Sequence, residues 1–136
     1  MGDNKIRSFE DLECWKACRE IRNYVSVIIK KFPPEEKYAL TDGMRRASRS
    51  TTENIAEGYG RYHFQENIQF CRMSRGSVYE LMDQFITAKD DGYISEEEYI
   101  KGRELLEKGK GLLNGYINYL ERAKAANSRY KKTTHS

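Results

Sequence analysis

The stretch RRASRSTTENIAEGYGRY, Arg45–Tyr62, decides how the rest of the chain is read. It opens on two arginines, with a third at Arg49, and its middle is small and polar: Ala47, Ser48, Ser50, Thr51 and Thr52. It then runs through Asn54-Ile55-Ala56-Glu57 to Gly58. At helical period its best apolar face is Met44, Ala47, Ser48, Thr51, Ile55 and Ala56, a narrow face of small groups. Such a helix packs poorly against leucine-rich stripes. It suits a place where backbones come close, and its polar groups need partners there. Each one left buried and unsatisfied costs about 1–3 kcal/mol. A symmetric subunit contact would supply those partners. The expectation is a homo-oligomer whose interface includes this helix, with Ser48, Thr51, Asn54, Ile55 and Glu57 as interface candidates.

Outward from this helix, three others are legible. Phe9, Leu12, Trp15, Cys18, Ile21, Val25, Ile28 and Phe32 recur in steps of three and four, which predicts a first helix over Phe9–Phe32. Ser8 and Asp11 form an imperfect capping box at its start, and Pro33-Pro34 ends it. The second helix follows, with Thr41 as expected N-cap and Gly58 and Gly60 bracketing its end. Ile68, Cys71, Ser74, Val78, Leu81, Met82, Phe85 and Ala88 mark a third over Phe64–Asp91. Gly76 in its middle predicts close approach of a neighbouring backbone. Gly92 supplies a turn, and Ser95 with Glu98 forms a capping box for the fourth helix. That helix carries Tyr99, Ile100, Leu106, Leu113, Tyr116, Ile117 and Leu120, with Gly102, Gly109, Gly111 and Gly115 as further points of close approach. No stretch alternates as a strand does. Four long helices with short connections predict an all-α, antiparallel up-down-up-down four-helix bundle.

The 136 residues fit one domain, expected over 1–126, with a basic tail over 127–136. From Lys124 onward Lys124, Arg129, Lys131 and Lys132 meet no acid. A solvated, disordered end is the expectation and a binding arm the alternative. The net charge of +3 permits an acidic partner without demanding one. The N-terminus is polar and no apolar run approaches spanning length, so a cytoplasmic protein without membrane contact is expected. Cys14, Cys18 and Cys71 are an odd number without paired spacing and read as buried free thiols.

The residues that could carry catalysis are few. His63 falls in a loop and His135 in the tail, and no nucleophile–base pair, metal cluster or phosphate loop can be assembled, so no catalytic residue, metal or cofactor is assigned. Glu53 and Glu57 lack the Glu-x-x-His partners of a di-iron bundle, and the pairs Arg49–Glu53 and Glu57–Arg61 read as helix-surface ion pairs. Arg45, Arg46 and Arg49 suit either salt bridges or phosphate, whose oxygens match the guanidinium fork. With Arg61, Lys131 and Lys132 they form the nucleic-acid-binding candidates.

Several pieces together resemble a known family. They are Phe9, Leu12 and Trp15, then FPPEEKYAL, RRASRSTTENIAEG at Arg45–Gly58, GSVYEL at Gly76–Leu81, GYIS, and LLNGYINYL. The family is the bacterial four-helix-bundle proteins encoded within intervening sequences of 23S rRNA genes, also described as ribosomal-protein-like. It is similar in turn to the accessory protein of diversity-generating retroelements. The resemblance implies an antiparallel bundle, a ring-like homopentamer, no known enzymatic activity, and association with rRNA, the ribosome or other nucleic acid. Gly43 departs from the pattern, which usually carries glutamine there. Two functional readings stand: a non-catalytic RNA- or DNA-binding oligomer, and a protein-interaction scaffold without nucleic-acid contact.

Overall fold

The computed structural model describes residues 5–134, with side chains described through residue 128. Its four helices are α1 (Glu13–Ile28), α2 (Leu40–Gly60), α3 (Phe64–Asp90) and α4 (Glu96–Thr134). Among the described residues there is no strand. Each helix packs on the next, and α4 packs back on α1, while α1 and α3 stand across one diagonal and α2 and α4 across the other. This is the up-down-up-down bundle.

Local chemistry sets the helix ends. Glu10 N donates to Ser8 Oγ at 3.1 Å and Ser8 N to Asp11 Oδ2 at 3.2 Å, so the expected box forms. It closes a short 3-10 turn, Phe9–Asp11, and α1 proper begins at Glu13. At the other end Phe32 and Pro33 are extended, as the proline pair requires. Thr41 does not cap α2. The helix starts at Leu40, whose N–H donates to the Glu36 carboxylate at 3.2 Å, so an acid in the preceding turn takes that role. Ser95 and Glu98 cap α4 reciprocally, at 2.8 and 3.1 Å. Gly92 takes the left-handed conformation at φ 77°.

The expected end of α4 near Ala126 is corrected. Its apolar stripe stops at Leu120, but the backbone continues helical through Thr134, including residues 127–134 of the expected tail. Just past Leu120, Ala123, Ala125 and Ala126 with Arg122 and Lys124 are good helix formers, which carries the helix beyond its last apolar position. The side chains of Lys131 and Lys132, and His135 altogether, lie outside the described residues.

The core is a continuous column of apolar side chains from all four helices, including Ile21, Val25, Met44, Ile55, Leu81, Phe85, Leu106 and Leu113. Two α4 glycines make room for it. A Cβ on Gly102 would fall 2.4 Å from the Phe85 ring, and one on Gly109 would fall 2.7 Å from Ile21 Cδ1. Gly76, Gly111 and Gly115 do not serve this purpose, since nothing lies within 4 Å of an added Cβ at any of them. Gly111 and Gly115 therefore carry only the entropic cost of helical glycine. Gly111→Ala and Gly115→Ala should each stabilise the fold by about 0.5–1 kcal/mol, read as a rise in the urea midpoint at unchanged slope.

Candidate nucleic-acid interface

The small polar face of α2 packs inside its own chain. Ser48, Thr51 and Ile55 are buried in the bundle and have no surface left for a second subunit, which corrects their place among the interface candidates. Their partners lie close by. Ser48 Oγ donates to the Arg45 carbonyl at 2.9 Å and Thr51 Oγ1 to the Ser48 carbonyl at 2.7 Å. From α3, Ser74 Oγ donates to the Thr51 carbonyl at 2.8 Å and Ser77 Oγ to Ser50 Oγ at 2.9 Å. The α2–α3 seam is thus small against small. Asn54 is half-buried and donates to Ser50 Oγ at 2.8 Å and to the Ser50 carbonyl at 2.9 Å, and Glu57 is exposed. At Gly43 the Gln84 amide occupies the vacant space, with its nitrogen 3.0 Å from an added Cβ.

The arginines separate by environment. Arg46 is exposed and pairs with Asp42 at 3.1 Å. Arg61 reaches Glu57 at 3.7 Å and Glu66 at 3.6 Å, and its guanidinium lies over the Phe70 ring. Neither is a free cation, and the Arg49–Glu53 pair does not form among the described residues. Arg45 and Arg49 instead turn toward α1 and line a cleft of about 140 Å³ with Arg22, Asn23 and Ser26. Arg22 donates to Thr52 Oγ1 at 3.1 Å. Among the described residues none of these three guanidinium groups has a carboxylate partner. Ser48 and Ile29 complete the cleft.

Sequence reasoning passed over Arg22. A signal was present: Arg22, Ser26 and Ile29 flank the Ile21–Val25–Ile28 stripe on one side. In an antiparallel pair they run opposite Thr52, Ser48 and Arg45 in turn. A cleft with three guanidinium forks and three uncharged polar side chains is chemically suited to an oxyanion such as phosphate.

A second concavity, about 300 Å³, lies at the end of the bundle where α2 passes into α3. The connection contains Tyr62 at φ 59°, a left-handed residue that is not a glycine, although Gly58 and Gly60 are both close by. For a tyrosine this conformation costs on the order of 1–3 kcal/mol. Asn67 Nδ2 donates to the Tyr116 hydroxyl at 3.2 Å below it.

Burial raises the Tyr116 hydroxyl to about 12 and pushes the Cys18 and Cys71 thiols up to about 11 and about 12. Cys14 is driven higher still by the same cause. All three thiols are free and buried. These groups hold their protons more tightly when folded, so their contribution is intact below pH 9, the ordinary thiol value. It is lost as pH rises toward 12, because the unfolded chain deprotonates first. The melting temperature should therefore be flat from pH 7 to 8.5 and fall steadily above that, as followed by circular dichroism.

Among the described residues no group of His, Cys, Asp and Glu is placed to hold a metal ion, and no helix is long and apolar enough to cross a membrane. Fold and site together define an all-α four-helix bundle with an arginine-lined cleft on its α1–α2 side. The chain belongs to the 23S rRNA-intervening sequence protein family, whose sequence pattern matches residues 10–115. No curated protein matches the chain.

Proposed function

We propose that this chain is a non-catalytic, cytoplasmic, homo-oligomeric bundle that associates with structured RNA, ribosomal RNA first, through phosphate contacts at Arg22, Arg45 and Arg49. The observation that carries this reading is the cleft itself, where three guanidinium groups converge without a carboxylate partner among the described residues. The family description, which ties these proteins to 23S rRNA intervening sequences, points the same way. Oligomerisation multiplies a weak local site, and the resemblance implies five copies. Exposed apolar side chains such as Val27 (63% exposed) and Met73 (56%) supply surface for subunit contacts.

The alternative is a protein-interaction scaffold without nucleic-acid contact. Its support is that Glu53 and Glu57 stand exposed on the same helix and could meet these arginines across a subunit contact. The triple variant Arg22→Ala, Arg45→Ala, Arg49→Ala separates the two. Light-scattering mass for the parent chain is expected at five times 16.0 kDa. Under the RNA reading the variant keeps that mass and binds a structured rRNA fragment at least about tenfold more weakly near 0.1 M salt. The slope of log affinity against log salt should also shrink by about one for each phosphate that the arginines no longer neutralise. A variant that loses the oligomer, or a parent chain whose RNA binding ignores salt, would leave the scaffold reading.

A further inference from the structure

The concavity at the α2–α3 end has the composition of a base-stacking site. Its walls include Tyr59 from α2, Tyr62 from the connection, Phe64 from α3, and Tyr116 and Tyr119 from α4, with Asn67 as a polar member and Ile6, Leu12, His63 and Leu120 completing the lining. Tyr116 and Tyr119 are stacked on each other, with centroids 6.2 Å apart and planes 13° from parallel. Tyr62 and Tyr119 are 87% and 56% exposed, far more than a packed core requires. The polar groups are also arranged for a ligand. Asn67 donates to the Tyr116 oxygen, and its own carbonyl oxygen accepts from the Cys71 thiol at 3.5 Å. The Tyr116 hydroxyl hydrogen has no acceptor among the described residues, so it remains to donate into the concavity. The left-handed Tyr62 backbone is the kind of local strain that persists at binding sites, and it holds an aromatic ring at the rim where glycine would hold none.

We propose that this aromatic concavity receives one unpaired nucleobase of the bound RNA, stacked on the tyrosine rings, with the Tyr116 hydroxyl donating to a ring or carbonyl acceptor of the base. The proposal rests on the RNA reading above. Aromatic stacking is how proteins hold splayed-out bases, and it tolerates any sequence. The two sites lie on one helix. Arg49 and Tyr59 are ten residues apart in α2, roughly 15 Å at the helical rise, which a few nucleotides span.

The test uses the full chain, a short single-stranded oligoribonucleotide, and an abasic oligomer of the same length and charge. The variants are Tyr62→Gly with Tyr119→Ala, both at exposed positions, with a thermal melt to verify folding. The parent chain should prefer the base-bearing oligomer by about tenfold or more, since each stacked base contributes that order of affinity. The tyrosine variant should lose this preference while keeping its affinity for the abasic oligomer, and the triple arginine variant should weaken on both. Equal binding of the two oligomers by the parent chain overturns the base site and leaves the phosphate reading standing. A preference that survives the tyrosine changes also overturns it, as does a tyrosine variant whose only defect is a smaller oligomer. No binding of either oligomer at low salt overturns the base site, and binding of the structured rRNA fragment then decides the phosphate reading by itself.

Discussion

Phe85→Ala is expected to destabilise the fold by about 3–5 kcal/mol, the range for emptying a buried phenylalanine site. Phe85 is among the largest fully buried side chains, and its ring stacks parallel to Tyr24 with centroids 6.3 Å apart. The reason to expect the upper part of the range is the neighbour across the seam. Gly102 of α4 has no side chain to move into the void, and α4 cannot shift inward there without disturbing Tyr24, whose hydroxyl donates to the Glu98 carbonyl at 3.0 Å. Since domains of this size are stable by about 5–15 kcal/mol, such a loss could remove most of the margin. Urea denaturation at one fixed protein concentration measures it, the fixed concentration removing any contribution from association. A loss below about 1 kcal/mol would mean that the ring is not a central support. Gly102→Ala probes the same contact from the other side, and combined with Phe85→Leu it should cost less than the two separate losses together, because the smaller side chain accepts the new methyl.

The legible parts of this chain are those where a large apolar residue or a capping side chain says one thing only. Steps of three and four through Ile21, Val25, Ile28 and through Val78, Leu81, Phe85 place α1 and α3 with their buried faces correctly. Ser8 with Asp11, Ser95 with Glu98, and Gly92 each form the local structure their chemistry favours. Where a residue type allows two environments, the fold has to choose. Ser48 and Thr51 need hydrogen-bond partners, and a second subunit could have supplied them. The Arg45 and Ser48 carbonyls of α2 itself accept from them instead, while the Ser74 and Ser77 hydroxyls of α3 donate across the seam to the Thr51 carbonyl and to Ser50 Oγ. Ser74 in the α3 stripe was the available hint, since a small polar face needs an equally small one opposite. A helical glycine is likewise ambiguous: Gly102 and Gly109 admit a neighbour, while Gly76, Gly111 and Gly115 face open space. For the site, the types of Arg45 and Arg49 were legible and their surroundings were not. The third guanidinium comes from Arg22, far away in sequence and brought near only by antiparallel pairing.

Gly58→Val should be the most damaging single change in α2, at or above the upper end of the roughly 1–3 kcal/mol typical of overpacking. A Cβ at Gly58 would lie 2.8 Å from Asn67 Oδ1, 2.9 Å from Phe70 Cβ and 3.1 Å from the Asn67 carbonyl oxygen. The last two belong to, or start from, the α3 backbone, so no rotamer change relieves them and the two helices must separate. Separation would strain the Ser74–Thr51 and Ser77–Ser50 bonds along the same seam. It would also shift Asn67, which holds the Tyr116 hydroxyl, and so disturb the lining of the aromatic concavity. The arginine cleft lies on the opposite, α1-facing side of α2 and should suffer less. Gly58→Ala, with one methyl, ought to preserve enough fold to compare the two sites. Its preference for base-bearing over abasic RNA should fall while its affinity for the abasic oligomer stays close to that of the parent chain. If Gly58→Ala melts at the parent temperature, α2 and α3 are not in the close contact described here, and the account of how this polar helix is buried fails.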